Sequence, residues 1–106
     1  MKENVTGIIL SDGLTSIGNA AFPTFHKVTS ITIPSSVTTI DHFAFSGCSS
    51  LSSVTVSWTN PQSITYGIEI FGHIDVLKIT LYVPVGLAAT YRDVPVWSFF
   101  NIREQQ

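Results

Sequence analysis

The chain has 106 residues, a formal net charge of −2 and 11% charged side chains, which suits one small domain with a largely neutral surface. Its lysines and arginines do not cluster, which excludes the basic footprint that nucleic acid or an anionic membrane surface requires. No apolar run approaches the roughly 18 to 20 residues of a membrane-spanning helix, so we expect neither a nucleic acid partner nor membrane insertion by this chain.

A pattern that returns about every 23 residues organises the first half of the chain. It shows in three pairs of branched apolar residues, Ile8/Leu10, Ile31/Ile33 and Val54/Val56, and in the pairs Ala21-Phe22 and Ala44-Phe45. A period of this size is typical of a solenoid, in which each coil buries its apolar face only against neighbouring coils. Each coil is predicted to begin with one short strand.

The second coil carries the pattern most clearly. Ile31 and Ile33 alternate with Ser30 and Thr32, which is the period of a strand with one buried face. Pro34 lacks a backbone donor and is predicted to end this strand. Phe45 is expected to stack on Phe22 of the preceding coil across the far wall of the interior. Cys48 aligns with Phe25 at an inward position and is predicted to be a small buried hydrophobe, the alternative being a reactive thiol.

The third coil departs from the period. Its loop contains Trp58, which is expected to pack on its own loop or on the C-terminal segment, the alternative being an exposed binding anchor. Ile70-Phe71 is predicted to be the counterpart of Ala44-Phe45. If Ile64 is equivalent to Ile40, this pair lies two residues further along the coil than Ala44-Phe45 does.

A fourth strand is predicted from the alternation of Leu77, Ile79, Leu81 and Val83, closed by Pro84. Residues 1–84 are therefore expected to form three or four coils. After them we predict about two turns of helix from Gly86 to Arg92 and an apolar group without a repeat, Trp97, Phe99, Phe100 and Ile102. Residues 85–106 are interpreted as a C-terminal cap within the same single domain.

The segment from Ile33 to Val54, I-P-S-S-V-T-T-I-D-x-x-A-F-x-G-C-x-x-L-x-x-V, resembles the BspA-type leucine-rich repeat of bacterial surface proteins. The tail resembles the usual ending of those proteins, carried by Leu81-Tyr82-Val83-Pro84, Gly86, Tyr91, Pro95, Trp97, Phe100, Ile102 and Glu104. The resemblance implies an α/β leucine-rich-repeat solenoid with short parallel strands, one per coil of about 23 residues, low helix content and a C-terminal cap.

The resemblance also implies a location and a role. Proteins of this family are typically exported or anchored at the surface of bacteria and are thought to bind host or bacterial surfaces. We therefore expect an extracellular or cell-surface protein. The sequence shows no signal peptide, so the chain is interpreted as a carboxyl-terminal fragment or a reduced member.

Catalytic and metal-binding patterns are missing from the sequence. His26, His42 and His73 do not fall at metal-ligand spacings, and Cys48 has no second cysteine to join it. There is no G-x-S-x-G motif and no glycine-rich phosphate loop. We expect no metal, no cofactor and no enzymatic activity, although an unrecognised enzyme site stays an alternative.

The candidate binding surface is the strand face that points away from the core. Serine and threonine fill 25 of the 106 positions, and six of them are predicted to form an uncharged strip of hydroxyls that binds a protein or a glycan: Thr29, Ser30, Thr32, Ser52, Ser53 and Thr55. Alternatively, these residues are only soluble, strand-compatible filler. The predicted function is a non-catalytic recognition or adhesion module, and the alternative is a purely structural cap or spacer of a longer solenoid.

The first coil lacks a predicted cap. It is expected to expose the edges of Ile8, Leu10, Leu14, Ile17 and Phe22 and to self-associate through them at high concentration.

Overall fold

Two parallel sheets run through the chain, whose computed structural model describes residues 6–18, 26–72 and 74–105. The larger sheet has five strands in the spatial order β1 (Gly7–Ile9), β3 (Ser30–Ile33), β5 (Ser53–Val56), β7 (Thr80–Val83) and β8 (Asn101–Glu104). The smaller sheet has three, β2 (Ser16–Ile17), β4 (Thr39–Ile40) and β6 (Thr65–Tyr66). Among the described residues, 3₁₀ turns cover Pro61–Ser63 and Val76–Lys78, and the helix α1 covers Ala88–Arg92.

Helix content is low, as predicted. In the part of the chain just described, no helix has both the length and the apolar character that crossing a bilayer requires.

The strands of successive coils lie side by side in the predicted register. Ile8 is opposite Ile31, and Ile31 is opposite Val54, in parallel ladders. The prediction of one strand per coil is wrong, because the first three coils each contribute a second strand to the smaller sheet. Thr39 and Ile40 are extended between Ser16-Ile17 and Thr65-Tyr66, so the backbone is hydrogen-bonded from coil to coil at two places rather than one.

The step between coils changes along the stack. The step is the number of residues that separates paired positions on neighbouring strands. It is longer from β5 to β7 than from β3 to β5, since Val54 is opposite Leu81. It is shorter from β7 to β8, since Leu81 is opposite Ile102. In the smaller sheet the step from β4 to β6 is already longer than the step from β2 to β4. Most of the extra residues are therefore inserted between β5 and β6, in the loop that carries Trp58.

The same insertion explains the position of Ile70-Phe71. These residues are the counterparts of Ala44-Phe45, as predicted, because Phe45 N donates to Ile70 O at 2.9 Å and the rings of Phe45 and Phe71 stack with centroids 5.5 Å apart. The expected delay of two residues is wrong, since Ile40 is opposite Tyr66 rather than Ile64.

The fourth predicted strand begins later than the alternation suggested. Ile79, Leu81 and Val83 are buried as expected, but Leu77 is 67% exposed. Asp75 explains the difference, because its Oδ1 accepts a hydrogen bond from Leu77 N at 3.2 Å. This bond winds Val76–Lys78 into a 3₁₀ turn before the strand starts at Thr80.

The C-terminal segment adds a strand that the sequence did not predict. β8 pairs in parallel with β7, so residues 101–104 continue the larger sheet. The predicted helix is shorter than expected, because Gly86 has φ +87° and cannot belong to a right-handed helix, which therefore begins at Ala88. The role of residues 85–106 as a cap, and the boundary at residue 84, stay predictions.

The interior between the sheets is apolar, and no polar or charged residue is buried among the described residues. Its far wall is an aromatic cluster formed by Phe45, Trp58, Tyr66, Phe71, Trp97 and Phe100. The expected partner ring, Phe22, lies outside the described residues. Trp58 belongs to the core rather than to an exposed anchor, since it is 3% exposed and its Nε1 donates to Val37 O at 2.8 Å.

The first coil is less exposed than predicted. Ile8 and Ile17 are buried at 9% and 3% exposure because both point into the interior, next to Ile31 and Ile40. Leu14 is exposed at 37%, as predicted, Leu10 is partly buried against the core, and Phe22 lies outside the described residues. Self-association through this end stays a prediction.

One close approach between coils gives a test of the register. A Cβ on Gly67 would clash with His42 N and lie 2.6 Å from Asp41 C, both backbone atoms. We expect Gly67→Ala to lower the free energy of unfolding by about 1 to 3 kcal/mol, because the two coils must move apart. Urea unfolding followed by circular dichroism measures the change.

Gly18 supplies the matched control for that substitution. It occupies the equivalent place after β2, and a Cβ there would meet no atom of the described residues within 4 Å. Gly18→Ala is expected to change the stability by less than about 0.5 kcal/mol. Equal effects of the two substitutions would contradict the observed packing of Gly67 against the second coil.

Candidate functional site

The outer face of the larger sheet consists of the side chains that point away from the core. They form two rows that cross all five strands: Gly7, Ser30, Ser53, Thr80 and Asn101 in the first, and Ile9, Thr32, Thr55, Tyr82 and Arg103 in the second. Neighbouring strands lie about 4.8 Å apart, and alternate residues along a strand are about 6.6 Å apart. The face is therefore a regular grid of short polar side chains, with larger groups at each end of the second row.

The structure brings the four predicted strand residues of the site together. Ser30 is opposite Ser53, and Thr32 is opposite Thr55. No hydrogen bond within the described residues engages these four hydroxyls. Because the backbone of β3 is paired with strands on both sides, the hydroxyls are the groups that the centre of the face offers to a ligand.

The other two predicted site residues have a different role. Thr29 Oγ1 donates to Thr6 O at 3.1 Å, and Ser52 Oγ donates to Thr29 O at 3.1 Å. Each hydroxyl thus bonds the backbone of the preceding coil, just before its strand begins. Thr29 and Ser52 help to hold consecutive coils together and are less available to a ligand than the strand residues.

Tyr82 and Arg103 are outer-face residues that the sequence reasoning missed. Tyr82 lies between Thr55 and Arg103 in the second row and is 38% exposed. Both positions were hidden because the step between coils lengthens before β7 and shortens before β8. The alternation of Asn101, Ile102 and Arg103 was the available signal for a further strand.

A groove of about 710 Å³ lies where the second row meets α1. Its lining residues are Thr55, Tyr82, Ala88, Arg92, Ile102, Arg103, Glu104 and Gln105. Two hydrogen bonds hold its wall in place: Ala88 N donates to a carboxylate oxygen of Glu104 at 3.3 Å, and Gln105 Nε2 donates to Val56 O at 3.0 Å. The groove is thus built by the end of β8, by α1 and by the C-terminal ends of β5 and β7.

Burial raises the pKa values of Cys48 and Tyr66. Cys48 is fully buried, as predicted, and burial raises the pKa of its thiol to about 11. Burial also raises the pKa of Tyr66 to about 12, against a smaller opposing effect of the hydrogen bond from Trp97 Nε1. Since the thiolate is the nucleophile and the metal ligand, Cys48 is protonated and inert near neutral pH.

His26 and His42 occupy turns of the described chain. His26 is exposed, and His42 Nδ1 accepts a hydrogen bond from Ile68 N at 2.7 Å. His73 lies outside the described residues. In residues 6–18, 26–72 and 74–105, no group of three or more His, Cys, Asp or Glu side chains is arranged to hold a metal ion.

Comparison with known proteins identifies the repeat. The family model described as a BspA-type leucine-rich repeat region of six copies matches residues 1–82. The chain belongs to the BspA-type leucine-rich repeat family. No curated protein and no solved structure gives a significant match.

Membership of the BspA-type family confirms the resemblance found in the sequence. BspA-type repeats occur in bacterial surface proteins, and the family is generally non-catalytic. The matched region ends at Tyr82, so α1 and β8 lie beyond it. Both arginines of the groove therefore belong to the part of the chain that the repeat model does not describe.

Proposed function

We propose that this BspA-type protein is a non-catalytic recognition module that acts at a bacterial surface and binds a protein or glycan ligand through the outer face of its larger sheet. The observation that carries the proposal is the group of four hydroxyls, on Ser30, Thr32, Ser53 and Thr55, that have no hydrogen-bond partner among the described residues. The family's occurrence in bacterial surface proteins supports the location.

The shape and chemistry of the face support binding rather than catalysis. Its central groups are hydroxyls on a rigid, paired backbone, so a ligand would meet donors and acceptors whose spacing is fixed by the sheet. Fixed spacing lowers the entropy cost of binding, because the face need not reorganise. The first three strands of the larger sheet, β1, β3 and β5, contain no charged residue, which suits an extended ligand with many polar groups.

A structural spacer is the second candidate, and one observation favours it. The hydroxyls of Thr29 and Ser52 bond the preceding coil, so part of the serine and threonine content serves coil stacking.

Substitution at the centre of the face separates the two candidates. The double variant Thr32→Lys/Thr55→Lys places two long charged side chains in the second row without touching the core. If the face recognises a ligand, this variant should lose binding to immobilised glycans and to host surface proteins in a screen in which the wild-type protein binds.

The matched control is Thr59→Lys/Thr65→Lys, which adds the same charge at exposed positions in a loop and in the smaller sheet. It should bind as the wild type does, and thermal unfolding should show that both variants are folded. Equal binding by the two double variants would rule out the outer face as the binding surface, whereas a wild-type protein that binds nothing in the screen would favour the spacer.

A further inference from the structure

The groove between α1 and the second row of the outer face concentrates positive charge on an acidic chain. The chain has five lysines and arginines against seven aspartates and glutamates. Its two arginines, Arg92 and Arg103, line the same groove although they belong to different elements. Both are exposed. A ligand entering the groove therefore meets a local charge opposite in sign to that of the whole chain.

Neither arginine is neutralised within the described part of the protein. The ion pair found there joins His42 and Asp41, and no carboxylate of the described residues lies within 4.0 Å of Arg92 or Arg103. Glu104 is the one carboxylate in the lining, and its oxygen accepts the hydrogen bond from Ala88 N. The guanidinium groups thus keep their donors for a ligand, and their planar geometry fits a carboxylate with two parallel hydrogen bonds.

The remaining lining offers the two other contacts that a sugar requires. Tyr82 lies directly beside Arg103 and presents a partly exposed ring, a flat apolar surface that suits the C–H face of a pyranose. Thr55 lies on the other side of Tyr82, and its hydroxyl continues the row that leads to Thr32. A ligand held at the arginines would therefore extend over the hydroxyl grid.

The backbone of the outer face favours a glycan over a peptide. Peptides that bind sheets usually pair with unpaired strand backbone; β5 and β7 are each paired on both sides, and among the described strands of the groove only β8 keeps an unpaired edge. Sugar hydroxyls need side-chain donors and acceptors instead, and these are what the face presents. We propose that the groove binds the carboxylated sugar of an acidic oligosaccharide, with Arg92 and Arg103 on the carboxylate and Tyr82 under the ring. This inference rests on the proposed recognition function and specifies its ligand.

Trigalacturonate is the probe for this inference, and its methyl ester is the matched uncharged ligand. Isothermal titration calorimetry on the full chain should show trigalacturonate binding about tenfold more tightly than the ester, the size expected for one charge-assisted contact. Binding should weaken as salt is added, because the groove is open to solvent. Arg92→Gln/Arg103→Gln should abolish the preference, and Tyr82→Leu should weaken binding more than Tyr82→Phe.

Lys27→Gln/Lys78→Gln is the matched control, because it removes the same charge from exposed positions outside the groove. It should keep the preference for trigalacturonate. An equal loss in this variant, tighter binding of a blocked triglutamate peptide, or no binding of trigalacturonate would overturn the proposed ligand class. Trigalacturonate binding that is unchanged by loss of both arginines but is lost in Thr32→Lys/Thr55→Lys would overturn it too, while leaving recognition by the outer face intact.

Discussion

Replacement of Phe45 with alanine is expected to lower the free energy of unfolding by about 3 to 5 kcal/mol. Phe45 is fully buried in the far wall, and its ring stacks on Phe71 at a centroid distance of 5.5 Å with an interplanar angle of 21°. Truncation would leave a cavity between the second and third coils, and the backbone bond from Phe45 N to Ile70 O limits how far those coils can collapse into it. Chemical denaturation at equilibrium measures the loss.

Phe99→Ala controls for the general effect of removing a phenylalanine. Phe99 is 67% exposed, so its loss should cost less than about 1 kcal/mol. If Phe45→Ala were as mild as Phe99→Ala, the stacked wall between the coils would not contribute to stability as the structure indicates.

The second large effect is expected at Trp97, whose replacement with alanine should also cost about 3 to 5 kcal/mol. Trp97 is fully buried and lies within 6.0 Å, centroid to centroid, of the rings of Trp58, Tyr66, Phe71 and Phe100. Its Nε1 donates to Tyr66 Oη at 2.8 Å. The substitution thus removes a large apolar surface and a partly buried hydrogen bond at once. Thermal and urea unfolding should both report the change.

Trp97→Phe divides that effect into its two parts. It keeps an aromatic ring but loses the hydrogen bond, and Tyr66 still donates its hydroxyl to Pro61 O at 2.7 Å. We therefore expect about 1 to 2 kcal/mol. A loss equal to that of Trp97→Ala would mean that the hydrogen bond, rather than the packing of the ring, accounts for most of the stabilisation.

Phe45 and Trp97 belong to one aromatic cluster that links the repeat coils to the C-terminal segment. Phe71 contacts Phe45 on one side and Trp97 and Phe100 on the other. Tyr91 of α1 donates its hydroxyl to Trp58 O at 2.6 Å. The C-terminal segment therefore shares the core of the coils, and loss of Trp97 should loosen the groove that α1 and β8 build. Ligand binding and stability are expected to be coupled at this end of the molecule.

The candidate site was only partly predictable. The four hydroxyls at its centre follow from the alternation in two coils of equal length, so Ser30, Thr32, Ser53 and Thr55 could be placed on one face from the printed residues. The hydrogen bonds of the Thr29 and Ser52 hydroxyls could not be predicted from the sequence, because each depends on the position of a carbonyl group in the preceding coil. Tyr82 and Arg103 were missed because they lie in coils of other lengths.

The sequence by itself determined the repeat coils, the residues that point into the interior and the family of the repeat. Each of these depends on a pattern of a few residues that recurs at a constant step. Only the tertiary structure decided which strands neighbour each other once the step lengthened before β7 and shortened before β8. Parallel pairing between distant strands is set by how loops close and by how the aromatic wall packs, and neither leaves a local pattern. Arg92 and Arg103 therefore meet in one groove for reasons that appear only when the last strand has taken its place in the sheet.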